Sequence, residues 1–179
     1  MVELLLHFTL PLTVLSYIYD FRREYKKILL ISFLSILPDL DVLLCIHRSI
    51  SHSIIPYTIV LAVILLLSKS SSVKLWSIVG YLAILSHLVL DLFTGLTPIL
   101  WPVVPYSIFI ETNIIALIST NTITPMFNVS FSIEETEFTR FTSFYAVVAT
   151  SQGLAITVIL LLPLILKAIL AYTFRRELL

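Results

Sequence analysis

The chain has 179 residues, of which 59% are apolar and 12% charged, with a mean hydropathy of +1.05. Soluble domains carry about 25% charged residues, so this composition excludes an ordinary soluble globular protein and points to a membrane. Eleven basic and eleven acidic residues cancel, which predicts no nucleic-acid partner, and the lone Cys45 cannot close an internal disulfide.

Five apolar stretches follow along the chain, at 2–19, 28–46, 53–68, 75–93 and 141–173. Each reads as a transmembrane helix, for which about 20 apolar residues are needed. Glu3 stands where a signal peptide has its basic region and no small-residue cleavage site follows, so the first stretch reads as a retained span. The third is short, and the last is long enough to tilt or to carry an interfacial turn. Between the fourth and fifth, Thr97-Pro98, Trp101-Pro102 and Val104-Pro105 open an irregular zone. The apolar piece 108–118 is too short to cross and reads as re-entrant or interfacial; the polar segment 119–140 completes the zone.

The expected fold is therefore all-α: a polytopic integral membrane helical bundle of about five transmembrane helices, with one short re-entrant or interfacial segment. It forms a single membrane domain over 1–179, with a core at 1–102, an irregular extracytoplasmic segment at 103–140 and the last helix at 141–173. Basic residues set its direction. Arg22, Arg23, Lys26, Lys27, Lys69, Lys74, Lys167, Arg175 and Arg176 share one side of a five-span chain, leaving Arg48 and Arg140 opposite. That places the C-terminus in the cytoplasm and the N-terminus outside, with Glu134, Glu135, Glu137 and the sequon Asn128-Val129-Ser130 also outside.

Ionisable groups inside spans are costly and functional by default. Here they are His7, Asp39, Asp41, His52, His87 and Asp91, with His47 just ahead of His52. At about 1.5 Å of rise per residue, these positions stand roughly 16 to 24 Å above the cytoplasmic ends of four different spans. One slab in the outer half of the bilayer therefore holds them all. His87 and Asp91 share a helical face at i, i+4, and Pro38 can bend its helix so that Asp39 and Asp41 face the bundle axis. Imidazole with carboxylate suits zinc, manganese or another divalent first-row ion, and six or seven ligands suffice for one or two ions. Simpler roles stand beside this one: packing histidines, Asp41, Ser51 or Ser53 as helix caps, Arg48 as an interfacial anchor, and Trp76, Trp101 and Tyr106 as belt aromatics.

Leu37-Pro38-Asp39-Leu40-Asp41, His47-Arg48, Ser51-His52-Ser53, Gly80-Tyr81, Ser86-His87 to Asp91, and Leu100-Trp101-Pro102 occur in that order. This series resembles the LexA-binding, inner-membrane-associated metal-dependent hydrolases, with their LPDxD, HRGxTHS and GYxxHxxxD segments and an N-terminal histidine like His7. The resemblance covers residues 1–102. Ser49 stands where that family has glycine and Ser51 where threonine is common, and the first departure bears on the turn that presents His52. Through the family's likeness to zinc-dependent phospholipase C, the resemblance implies His7, His52, His87 and Asp91 as ligands. It also implies Asp39 or Asp41 as bridging carboxylate or general base, and His47 and Arg48 as groups near the metal or the phosphate. Glu111 and Glu137 lie beyond the matched part.

The expectation is thus a hydrolase of the plasma or inner membrane, cleaving a phosphoester of a lipid-like substrate at the extracytoplasmic side, with membrane lipid as its surroundings. Asp39, Asp41 and Arg48 are the candidate catalytic residues. An ion or proton-coupled transporter, and a non-catalytic protein with a structural metal, are the rival readings.

Overall fold

A computed structural model describes residues 4–118, 122–143 and 148–176 of the chain. Five helices and one hairpin follow in order: α1 (Leu4–Ile18), α2 (Phe21–Leu34), α3 (Ile54–Leu67), α4 (Ser71–Leu92), β1 (Tyr106–Ile118), β2 (Ile123–Glu135) and α5 (Ser151–Arg176). Two 3-10 segments, Leu37–Leu44 and Ile50–His52, lie between α2 and α3. The fold is mixed α/β, not all-α. Among the described residues only α4, at 22 residues, is long and apolar enough to cross a membrane; Leu4–Ile18, Ile54–Leu67 and Ser151–Leu166 are shorter apolar helices.

Local chemistry accounts for the departures from five spans. The apolar run 28–46 is not one helix. Its helix starts early, because the Asp20 side chain caps the amide of Arg22 and draws the basic residues into the first turns. It ends at Leu34, where Ser35 turns its hydroxyl onto the Ser32 and His7 carbonyls. Pro38 then opens the 3-10 segment, and Cys45 closes it in the left-handed region at φ 57°. Ser53 and Ser70 cap α3 and α4. The sidedness assigned to the basic clusters rests on five crossings, and among the described residues one helix has the length and composition for one.

The largest correction is at 106–135. The segment expected to be re-entrant or interfacial, and the polar stretch after it, form one antiparallel hairpin of two 13-residue strands. Isoleucine, phenylalanine and threonine favour extended backbone. The register pairs Ile110 with Phe131, Ile114 with Phe127 and Ile118 with Ile123, so these residues share one face. Glu111, Asn113, Asn128, Ser130, Ser132 and Glu134 fall on the other.

α1 packs against α2, α4 and α5, and α4 against α2 and α3. Leu15, Ile28, Ile31 and Ala83 make the buried apolar core, with Leu12, Trp76 and Val79 around it. Among the described residues, fifteen polar or charged side chains are buried against six core hydrophobics and a few prolines, while leucines, isoleucines and phenylalanines cover the outside. Most buried hydroxyls satisfy themselves within their own helix: Thr9 on the Leu5 carbonyl, Ser16 on Leu12, Ser32 on Ile28 and Ser86 on Ala83. Apart from the Thr13 and Thr157 hydroxyls, the buried polar atoms without a hydrogen bond among the described residues belong to one cluster of histidines, aspartates and Arg48.

Candidate metal centre

α1 brings His7 to the cluster, the first 3-10 segment brings Asp39 and Asp41, the second brings His52, and the C-terminal turns of α4 bring His87 and Asp91. All six are buried. His7, His52 and His87 are at most 1% exposed, and Asp39, at 9%, is the most open of the carboxylates. The i, i+4 spacing does place His87 and Asp91 side by side, with Nε2 3.5 Å from Oδ2.

Four atoms converge: Asp39 Oδ1, His52 Nε2, His87 Nε2 and Asp91 Oδ2. His52 Nε2 lies 3.1 Å from Asp91 Oδ2 and 3.4 Å from Asp39 Oδ1, and His87 Nε2 lies 3.6 Å from Asp39 Oδ1. A tetrahedral ion with bonds of about 2.0–2.1 Å holds its ligand atoms about 3.3 Å apart. The observed separations match that edge. Among the described residues, His52 Nε2, His87 Nε2 and Asp91 Oδ2 have no hydrogen-bond partner, although buried polar atoms ordinarily do. Against the three carboxylates Asp39, Asp41 and Asp91 stands one permanently charged group, the Arg48 guanidinium, so with the histidines neutral, as ligation requires, a divalent ion would offset the remaining two negative charges. This buried group of aspartates and histidines could hold a metal ion.

Asp41 sits differently. Its Oδ2 accepts from the Ser49 amide (2.8 Å), the Ser49 hydroxyl (2.9 Å) and the Ser51 hydroxyl (2.8 Å), and lies 3.3 Å from His52 Nδ1. Burial alone would raise its pKa, but contacts from His47, His52 and the Ser49 amide outweigh that and hold the carboxyl well below the usual range. Burial likewise works against a charged His52, yet Asp39, Asp41 and Asp91 push its pKa up to about 10. The three carboxylates thus hold positive charge at this ring. Asp41, His47 and His52 make a second group of potential donors, with His47 Nδ1 3.6 Å from Asp41 Oδ1. The two groups share His52, and a neutral imidazole offers one free ring nitrogen. The arrangement is that of a carboxylate orienting a ligand histidine from behind.

His7 stacks on His87 with ring centroids 3.7 Å apart, and its Nε2 lies 3.6 Å from Asp91 Oδ1, so it borders the four atoms from the far side of Asp91. Arg48 does not face open space. It takes a left-handed backbone (φ 56°), donates to the Thr94 hydroxyl (2.7 Å) and the Leu96 carbonyl (3.3 Å), and stands 3.7 Å from Asp91 Oδ1. A Cβ on Gly95 would overlap the guanidinium. Thr94, Gly95 and Thr97, whose hydroxyl donates to the Asp91 carbonyl, complete this latch and carry no metal-site signature in the sequence. Ser49, the departure from glycine, has a negative φ of −84° and caps the turn of His52, so the left-handed strain falls on its neighbour Arg48. Glu111 lies on the polar face of the hairpin, where it accepts from Asn113 and Ser130.

A family model described as YdjM inner membrane protein matches residues 1–176. The chain belongs to that family. No curated protein and no solved structure matches it.

Proposed function

We propose that this member of the YdjM inner membrane protein family is a metal-dependent hydrolase acting on a phosphoester of a lipid-like substrate. The observation that carries the reading is the convergence of Asp39, His52, His87 and Asp91 at separations suited to a single divalent ion. The resemblance to LexA-binding membrane hydrolases, and through them to phospholipase C, supplies the reaction class. When bound, such an ion supplies Lewis acidity towards a phosphoryl oxygen and towards water.

The chain's own residues would divide the work. Asp39, the most exposed of the cluster's three carboxylates, is the candidate general base. Asp41 fixes the ring of His52 and is itself fixed by Ser49 and Ser51. Arg48 holds the end of α4 through Thr94 and Leu96, which makes it a positioning group for Asp91. A cavity of about 560 Å³ between α2, α3 and α4 supports a lipid-like substrate. Its lining is largely apolar and includes Leu37, two residues before Asp39, Ile84, one turn before His87, and Tyr57, which donates to the Ser51 carbonyl.

The near-complete burial of the ligands favours a second reading, in which the metal is structural. Full-length protein purified in detergent distinguishes the two. Hydrolysis predicts about one divalent ion per chain and headgroup or phosphate release from a phospholipid panel, both lost in His87→Ala. Metal without hydrolysis of any lipid supports the structural reading. A wild-type protein that binds no divalent ion, or a His87→Ala protein that binds it as well, overturns both.

A further inference from the structure

The hairpin 106–135 plays no part in the metal centre, yet its two faces differ sharply. The paired register puts Ile110, Ile114, Ile118, Ile123, Phe127 and Phe131 on one side, with Ile114, Phe127 and Phe131 at 76%, 75% and 68% exposure. The opposite side carries Glu111, Asn113, Asn128, Ser130, Ser132 and Glu134. Towards the turn the second face also becomes apolar, with Ile115, Leu117 and Met126 exposed. A contiguous apolar face of this kind marks a binding surface.

We infer that the hairpin is an amphipathic arm that lies along the lipid headgroup layer, apolar face towards the acyl chains and acidic face towards water. Three observations choose lipid as the occupant. The chain belongs to an inner membrane protein family. The apolar exterior continues at the root of the arm: Leu43 and Leu44, 78% and 71% exposed, precede Cys45, whose carbonyl accepts from the Phe141 amide just after the hairpin. Of the three acidic side chains on the strands, Glu111 near mid-arm and Glu134 near the base sit on the face turned from the apolar one, and Glu135 stands on the apolar side only at the last pair of the base.

The backbone sets the depth. Each strand runs about 40 Å at about 3.3 Å per residue, long enough to cross a hydrocarbon core. A two-stranded sheet, however, has two open edges with unpaired amides and carbonyls, which hydrocarbon does not tolerate. The arm therefore lies flat where water reaches its edges. Its base is tied to the metal centre: Thr97 and Ile108 exchange backbone hydrogen bonds (2.9 and 3.0 Å), and the Thr97 hydroxyl donates to the Asp91 carbonyl (3.2 Å). The arm thus sets the height of the centre relative to the headgroups. This holds whether or not the centre is catalytic.

Phe131→Cys and Ser132→Cys place labels on opposite faces one residue apart, and Phe127→Cys and Asn128→Cys repeat the pair should one variant fail to fold. Each is spin-labelled in a Cys45→Ser background, and the full chain is placed in nanodiscs of phosphatidylethanolamine and phosphatidylglycerol. The expected result is alternation. Labels at 127 and 131 collide several-fold more with membrane-soluble oxygen than with an aqueous nickel chelate, and labels at 128 and 132 show the reverse. Equal access of nickel to both faces overturns the inference, because the arm then stands in water. Shielding of 127 and 131 from both reagents, with dipolar broadening that fades on dilution with unlabelled chain, overturns it in favour of a second copy covering the face.

Discussion

The helical core and the hairpin arm both reverse the soluble-protein arrangement, but from opposite ends. Around the metal centre polar groups are buried: six ionisable side chains no more than 9% exposed, at the meeting point of α1, α4 and the 3-10 segments. Along the arm apolar groups are exposed, and among the described residues its base meets the rest of the chain through the Thr97–Ile108 backbone pair. In the core, removing one charge leaves its partners stranded in a medium that cannot solvate them. On the arm, a single side chain has little to strand. The difference teaches that the two regions answer to different surroundings: one to the counter-charges packed against it, the other to what surrounds the protein.

The sharpest way to break this contrast is Asp91→Ala. Asp91 meets His7, His52, His87 and Arg48 at 3.1 to 3.7 Å. Its loss should abolish stoichiometric metal binding and cost about 3–5 kcal/mol, as for one partner of a buried charge pair. Metal analysis after desalting, with thermal unfolding in detergent, checks both; retention of the ion would remove Asp91 from the ligand set. Asp41→Asn is expected to be intermediate. A carboxylate that orients a ligand histidine contributes about 10- to 100-fold to metal affinity, so a chelator competition should show weakened binding and not its absence. A loss as complete as that of Asp91→Ala would make Asp41 a ligand itself. The smallest effect on the folded core belongs to Phe131→Ser. At 68% exposure it should shift detergent stability by no more than about 0.5 kcal/mol. A large drop in melting temperature would mean that the arm packs on the bundle.

The same contrast governs what could be read in advance. The polar residues of the centre stand out because membrane-type sequence makes every His and Asp conspicuous, and α4 is visible as a long apolar run preceded by serines. The strands of the arm are hidden in the sequence. β1 is apolar at most positions, Ile108-Phe109-Ile110 and Ile114 to Ile118, so it shows neither a two-residue nor a 3.6-residue period. β2 does alternate at Phe127, Val129, Phe131 and Ile133, but polar residues fill the positions between, so the stretch reads as part of the polar segment 119–140. Hydropathy also hid the end of α2. The run 28–46 stays apolar across Ser35 and Pro38, and only the hydroxyl of Ser35, bonded to a carbonyl 28 residues away, marks where the helix stops. Arg48 was read for its charge, whereas its place depends on the missing side chain of Gly95, which no spacing rule flags.

The ties that lock the centre are long in sequence. Arg48 reaches Thr94 across 46 residues, and Ser53 reaches the Trp101 carbonyl across 48. During synthesis the last ligand, Asp91, is made well after His7, Asp39 and His52, and the carbonyl that seats Ser53 comes ten residues later still. Four of the six buried ionisable residues thus wait in a growing chain for partners that do not yet exist. Closing such loops carries an entropy cost that only the completed contacts offset. A chain cut short before the turn at 97–101 carries all six buried ionisable side chains but not the Thr97 hydroxyl and the Trp101 carbonyl that tie their segments together.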